Sequence, residues 1–301
     1  MTVTIFGSSG FIGKNLSKSL RQEFNVLEVS LRNPLWETEI DEKTDIFINL
    51  VGKAHDHKGV ATDEDYYVAN VEIAQKIFSV FQKSSAKMLI HISSLAAIEE
   101  YESVTPICET APCRPVSTYG KTKRICEEWL LGQNLIPQKK LIIIRPPMVH
   151  GPGDRGNLDL LYKIISKGIP YPLAAFRNQR SFISVNNFIF YIRQIMLSSQ
   201  KLETGIYHIA DDMPVDTREI IEIIRKTENI KSRDLYLPKI LVKTVAKMGD
   251  VIPIPLNSKK LKKLTNNLIV SNEKINTLLE INNLPLTARE GLELTIKSFR
   301  K

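Results

Sequence analysis

Apolar residues along this chain follow two alternating patterns. Short unbroken β-prone runs are separated by longer stretches with an apolar side chain every three or four positions. The first run, at 2–6, passes through Gly7-Ser8-Ser9-Gly10-Phe11-Ile12-Gly13 into a helical pattern carried by Ile12, Leu16, Leu20 and Phe24. Further strand runs lie at 26–30, 46–51, 87–92 and 141–144, with helical patterns at 63–82 and 119–131 between them. The run at 141–144 is apolar throughout, as expected of a strand buried on both faces of a parallel sheet. The alternation predicts an α/β fold, a doubly wound parallel Rossmann sheet over 1–152. After Gly151-Pro152-Gly153 the pattern turns mostly helical, at 158–167, 185–199 and 217–226, with one strand at 206–210. A smaller helical substrate lobe over 153–301 is expected, with part of 181–210 returning to the sheet.

The glycines between the first strand and helix are placed as a dinucleotide site needs them. Gly7 allows a sharp exit from the strand, Gly10 lets backbone approach a pyrophosphate, and Gly13 lets the helix pack close to the sheet. The anion would sit on free N–H groups at the helix N-terminus. The third strand ends in Asn49-Leu50-Val51-Gly52, small and apolar residues lining the same crevice. At the end of the second strand, where the adenosine ribose would lie, stand Ser30, Leu31 and Arg32, and the acid Glu28 falls inside the strand. A positive charge there suits a 2′-phosphate, so NADP(H) is favoured over NAD(H). Arg32 as a solvated loop charge is the plain alternative.

Composition narrows the class without choosing the partner. The 301 residues are 43% hydrophobic and 25% charged, ordinary for a globular protein with a large core. The first strand starts at residue 2, and no apolar run approaches the ~20 residues of a membrane span, so a cytoplasmic protein is expected. Cys108, Cys113 and Cys126 form neither a CxxC pair nor an even framework and read as free thiols. His55 and His57 are the one close histidine pair, with no acid or cysteine cluster to complete a metal site. Net charge of +8 is compatible with nucleic acid, a membrane surface or an anionic small substrate.

Tyr119 and Lys123 lie four apart on one helix face, where an ammonium, helped by a cationic nicotinamide, favours the phenolate. Such a tyrosine can exchange a proton with an alcohol oxygen. Ser94, at the end of the fourth strand, adds a hydroxyl on the same crevice.

Taken together, Gly7/Gly10/Gly13, Ser94 and Tyr119/Lys123 resemble the extended short-chain dehydrogenase/reductase family, of the NAD-dependent epimerase/dehydratase type. The resemblance runs through Asn70, the 25-residue step from Ser94 to Tyr119, and Arg145-Pro146-Pro147-Met148-Val149-His150-Gly151-Pro152-Gly153. It continues into Arg155-Gly156-Asn157 and Arg177-Asn178-Gln179-Arg180-Ser181-Phe182, which look like the family's nucleotide-diphosphate segments. It implies that Ser94, Tyr119 and Lys123 are catalytic and that Asn157 and Arg180 hold the substrate. It also implies a cofactor lined by Gly7, Gly10, Phe11, Ile12, Gly13, Arg32, Leu50, Val51, Gly52, Asn70, Ile92, Pro146 and Val149, with Tyr119 and Lys123.

Departures from the family's patterns narrow the reaction. Family 4,6-dehydratases follow the serine or threonine with an Asp-Glu pair, where this chain has Leu95 and Ala96. Family 3,5-epimerases carry a cysteine two positions on, where this chain has Ala96. Hydride transfer at C4 of a nucleotide-diphosphate sugar remains. Reduction of a 4-keto-hexose in surface-polysaccharide synthesis is the first expectation, and 4-epimerisation of a UDP-linked or polyprenyl-diphosphate-linked sugar the second. A non-catalytic NADP-binding regulator is a third, disfavoured by the retained Ser94, Tyr119 and Lys123. The resemblance further implies a homodimer through the helices at 63–82 and 119–131, and no nucleic-acid partner. In the C-terminal lobe, Lys239, Lys243, Lys247, Lys259, Lys260, Lys262 and Lys263 interleave with Ile240, Leu241, Val245, Met248, Leu261 and Leu264. That reads first as a core-facing stripe with a solvated basic face, and second as a contact with an anionic membrane surface.

Overall fold

The computed structural model describes residues 1–54, 60–252 and 256–300, so His55 and His57 lie outside the described residues. Strand β1 (Thr2–Phe6) leads through the glycine turn into α1 (Phe11–Leu20), followed by β2 (Asn25–Val29) and β3 (Ile46–Asn49). The expected helix at 63–82 is present in three parts, α2 (Asp63–Tyr67), a π-helical segment (Val68–Glu72) and α3 (Ile73–Lys83). Next come β4 (Met88–Ile92), α4 (Thr118–Leu131), β5 (Lys140–Arg145), β6 (Met148–His150), α5 (Asn157–Ile165), β7 (Phe182–Ser184), α6 (Val185–Leu197) and β8 (Gly205–His208). Five helices complete the chain: α7 (Thr217–Glu228), α8 (Lys239–Met248), α9 (Ser258–Thr265), α10 (Glu273–Leu279) and α11 (Ala288–Ser298).

Six strands form one parallel sheet in the order β2-β1-β3-β4-β5-β8. Alternation along each strand decides which layer a side chain joins. Ile5, Ile46, Ile48, Ile90 and Ile142 point to the face covered by α1 and α6, where Leu16, Phe188 and Ile192 meet them. Phe47, Leu89, Leu141 and Ile143 point to the other face, against Ile77, Phe81 and Leu130 of α3 and α4. Each such side chain, fully removed from water, contributes roughly 1.5–3 kcal/mol. The strand order reverses between β1 and β3, which opens a crevice at their C-terminal ends.

β8 pairs with β5 and α6 packs on α1, while β7 pairs with β6 apart from this sheet. A second core gathers α5, α7, α8 and α11 around Tyr162, Ile220, Ile224, Leu292 and Ile296. Two features were not foreseen from periodicity: the separate β6–β7 pair, whose strands have three residues each, and the run of short helices after 258. The core-facing stripe expected around 239–264 is only half present. Val242, Ala246 and Leu261 are buried, whereas Ile240, Leu241, Val245, Met248 and Leu264 are exposed. A helix at the edge of a small lobe has one neighbour layer to bury against, and α8 uses Val242 and Ala246 for it.

Two histidines sit inside the fold as neutral rings. Burial holds His91 well below the usual imidazole range, with the Lys123 charge adding to it. Burial also draws His208 down to about 4, with Glu109 opposing and Arg145 adding. A histidine depressed in the folded state contributes stability that is complete above the unfolded pKa near ~6.5 and is lost as pH falls towards the folded value. Urea melts should therefore give constant stability between pH 7 and 8 and a loss of about 2 kcal/mol or more by pH 4.5. The His208→Gln variant should show a shallower decline, and an identical pH dependence in that variant would exclude His208 as a source.

Candidate active site

Four strand ends and two helices converge at the crevice. β1 ends at Gly7, whose φ of +83° is one that side chains rarely adopt and whose missing Cβ would lie 3.0 Å from the Val51 nitrogen. A Cβ on Gly13 would lie 2.6 Å from Ser8 Cα, so its absence lets α1 start directly on the turn. Gly10 differs, since a Cβ there would meet only the Gly7 carbonyl at an ordinary 3.5 Å. Gly10 itself is exposed. Gly10 also caps α1 without a side-chain hydrogen bond, and the first turn holds no acid. Bare N–H donors, open space and no competing negative charge fit the pyrophosphate of a dinucleotide.

Ser94 follows β4. Its backbone run continues against β5, with Ser93 N donating to Ile144 O at 2.8 Å and Leu95 N to Pro146 O at 2.9 Å. Ser94 Oγ accepts from Ala96 N at 3.2 Å, which turns the chain into a single 3₁₀ turn at Leu95–Ala97. α4 then packs directly on that turn. Gly120 permits the approach, because a Cβ there would collide with the Ala96 carbonyl and lie 3.1 Å from Glu100 Oε1. Glu100 fixes the start of α4: its carboxylate accepts from Ser117 N at 2.9 Å and from Ser117 Oγ, which itself caps Gly120 N. A carboxylate at a helix N-terminus also complements the helix dipole. Tyr119, next to Gly120, is thereby set within hydrogen-bonding reach of Ser94.

One turn on, Lys123 is buried and its Nζ donates to Ile92 O at 2.9 Å. A Cβ on Gly52 would lie 2.9 Å from that Nζ and 3.0 Å from Asn70 Oδ1, so Gly52, Asn70 and Lys123 meet at one point. Asn70 is locked in place by Lys53 N, Lys53 O and Thr122 Oγ1. It sits in the π-helical segment, and such local widening of a helix re-aims a side chain.

The remaining expected residues are placed unevenly. Ile12, Leu50 and Val149 pack on the same core beneath the crevice, and Val51 packs on the opposite layer. Phe11 lies beside Gly151 and Gly153, and Pro146 is buried. Arg32 is exposed on the turn after β2, and Asn157 is the exposed first residue of α5. Arg180 is half-buried, with Nη1 donating to Tyr101 O at 3.4 Å and Asn266 O at 3.3 Å. Burial draws its pKa down to about 10, and no carboxylate pairs with it among the described residues. A guanidinium that is partly desolvated without an acid is suited to an incoming anion.

Lys123 together with a cationic nicotinamide is expected to favour the Tyr119 phenolate; in the protein alone the phenol is raised above its ordinary value. Burial is the main cause, Glu100 and Glu127 add to it, and only the Ser94 hydrogen bond opposes. Burial likewise lowers Lys123, against Cys126 and Glu127. Periodicity also missed the groups that hold this helix. Glu127 and Arg145 are fully buried and form two hydrogen bonds, Nε to Oε1 at 2.8 Å and Nη2 to Oε2 at 2.6 Å, while Ser93 Oγ donates to Oε1 at 2.5 Å. Glu127 stands four residues after Lys123, a spacing that in sequence looks like a surface pair.

Known proteins resemble this chain in sequence and in fold. The model of the NAD dependent epimerase/dehydratase family matches residues 3–210. An N-acetyl-alpha-D-glucosaminyl-diphospho-ditrans,octacis-undecaprenol 4-epimerase of Escherichia coli O157:H7 is 26% identical over 251 residues, 78% of this chain and 75% of that protein. A UDP-glucose 4-epimerase of Vibrio cholerae is 28% identical over 242 residues, 73% and 74% of the two chains. In fold, the chain is similar to a UDP-glucose 4-epimerase of Thermotoga maritima solved with UDP-glucose, at a TM-score of 0.77 and 18% identity over 100% of this chain and 99% of that one.

Removing one member of the buried pair strands the other. Glu127→Ala should cost about 3–5 kcal/mol in urea or thermal unfolding, and the double variant Glu127→Met with Arg145→Met should recover most of that loss. A single variant within about 0.5 kcal/mol of wild type would show that the pair does not hold α4.

Proposed function

The chain belongs to the NAD dependent epimerase/dehydratase family, and we propose that it moves a hydride at C4 of a hexose carried on a diphosphate, with 4-epimerisation as the net reaction. The observation that carries this reading is the convergence of Ser94, Tyr119 and Lys123 beside the glycine turn, with Gly52 and Asn70 closing on the Lys123 ammonium. Leu95 and Ala96 supply none of the acid, base or thiol groups that elimination or 3,5-epimerisation would need.

The dinucleotide would be held by the N-terminus of α1 above Gly10, by Leu50 to Gly52, and by Lys123. The chemistry such a dinucleotide would supply is reversible hydride transfer with C4 of the sugar. Tyr119 takes the O4 proton as the alcohol becomes a ketone and returns it when the alcohol re-forms. Ser94 steadies O4 with its hydroxyl, and Lys123 keeps a positive charge near the phenol while anchored on Ile92 O. Arg180 meets the diphosphate of the substrate, with Asn157 at the start of α5 as a further contact. Return of hydride to the opposite face requires the 4-keto sugar to turn over, which a diphosphate anchor remote from C4 permits.

The 4-epimerases of Escherichia coli and Vibrio cholerae among the relatives support epimerisation ahead of the 4-keto reduction that the sequence alone puts first. Reduction with NADPH is the second reading, and Arg32 is the observation in its favour, exposed beyond β2 where a 2′-phosphate would lie.

Tyr119→Phe should lower kcat by about 10²-fold or more, since general acid–base transfer is worth 10²–10⁴, while cofactor affinity stays within about twofold. Lys123→Ala should damage both quantities. A Tyr119→Phe enzyme retaining more than about a tenth of wild-type kcat would exclude Tyr119 as the proton-transfer group. Arg32→Ala, followed by titration with NADPH and NADH, separates the two readings. A selective loss of NADPH affinity supports the reductase, and equal affinities in wild type and variant support the epimerase.

A further inference from the structure

The α8 surface is divided into three rows. Val242 and Ala246, four apart, face the lobe core and are buried. Lys239, Lys243 and Lys247 form a second row at the same spacing, and Leu241, Val245 and Met248 a third, all exposed. Ile240, 81% exposed, lies between these two rows at the start of α8, and exposed Val251, at 88%, and Ile252 follow the C-terminal end of the helix. α9 packs beside α8 and contributes exposed Lys259, Lys262 and Lys263 while burying Leu261. Between 235 and 267 the chain has seven lysines and one acid, Asp250. That carboxylate is turned onto Ser258 N and Oγ, at 2.9 and 2.6 Å.

An exposed apolar row alone would fit many partners, but here it is bordered by a one-signed basic row on the same helix. A protein core offers no such mixture, and a second copy of the chain would bring lysines against lysines. A phospholipid bilayer with anionic headgroups satisfies both rows, apolar side chains entering the acyl boundary and ammonium groups remaining among the phosphates. We infer that the α8–α9 face is a docking surface for an anionic lipid bilayer. Contact is peripheral, since among the described residues no helix is long and apolar enough to cross a membrane. Asn266, which follows α9, offers its carbonyl to Arg180, and Lys263 lies 5.3 Å from the Tyr101 ring, so the docked face adjoins the Arg180 side of the candidate site.

The test is co-sedimentation of the full chain with phosphatidylcholine vesicles, with and without phosphatidylglycerol, in about 0.05 M and about 0.5 M salt. Neither sugar nor dinucleotide is added, so the outcome is independent of the C4 chemistry. Binding to the phosphatidylglycerol vesicles at low salt and release at high salt are expected. Replacing Lys239, Lys243 and Lys247 together by Gln should lower partitioning about a hundredfold, about fivefold for each lysine. Ile240→Asp with Val251→Asp should lower it at least tenfold at low salt, with unfolding temperature unchanged. Absence of wild-type binding at low salt would overturn the proposal. So would undiminished binding by the aspartate variant, or a multimer in solution that the same variant dissociates.

Discussion

Glu127 and Arg145 are both sealed from solvent, and the bidentate ion pair between them is the constraint on which the site depends. Two charges taken out of water cost several kcal/mol each, and only good geometry offsets this. Burial works against the Arg145 charge, yet Glu127 holds its pKa above the usual value. The pair therefore admits one register for α4. Tyr119, Lys123 and Glu127 are spaced four apart on that helix. A slip of one residue would turn all three by about 100°, so the register that misplaces the tyrosine also breaks the pair. The third partner, Ser93, is adjacent to Ser94, so the bond that anchors the helix also anchors the strand end opposite it.

Much of this architecture was legible because it rests on local chemistry. Runs of Ile and Leu with strand-like length marked β3, β4 and β5, and Gly7 and Gly13 marked a tight strand-to-helix turn that the structure contains. The ends of β8 and α5 were misread by one or two residues, since fraying termini carry weak signals. What sequence did not show was set by tertiary contact. The break of the 63–82 helix at the π segment follows from Asn70 reaching Lys53 and Thr122, and no local propensity encodes it. Glu100 and Glu127 carry no local signal of burial, which could be known only once α4 was laid on Ala96. The outward-facing row of α8 was hidden for a related reason: a helical period reports that one stripe is apolar, not whether anything covers it.

Charge in the crevice is then the remaining issue, and burial governs it in two directions. The carboxylates of Glu100 and Glu127, which build the site, oppose ionisation of Tyr119, and the Lys123 ammonium is committed to Ile92 O. In the protein alone the phenol accordingly keeps its proton. The same poor solvation strengthens the effect of any positive charge brought alongside: at about 4 Å and an effective dielectric near 20, one unit charge is worth about 4 kcal/mol, or roughly three pKa units. On a solvated helix the shift would be a fraction of that. A half-buried tyrosine that resists ionisation until a cation arrives withholds its base from water and from unoccupied states. Placing structural acids beside it therefore does not conflict with a role in proton transfer, because ionisation then waits on a positive charge brought beside the phenol.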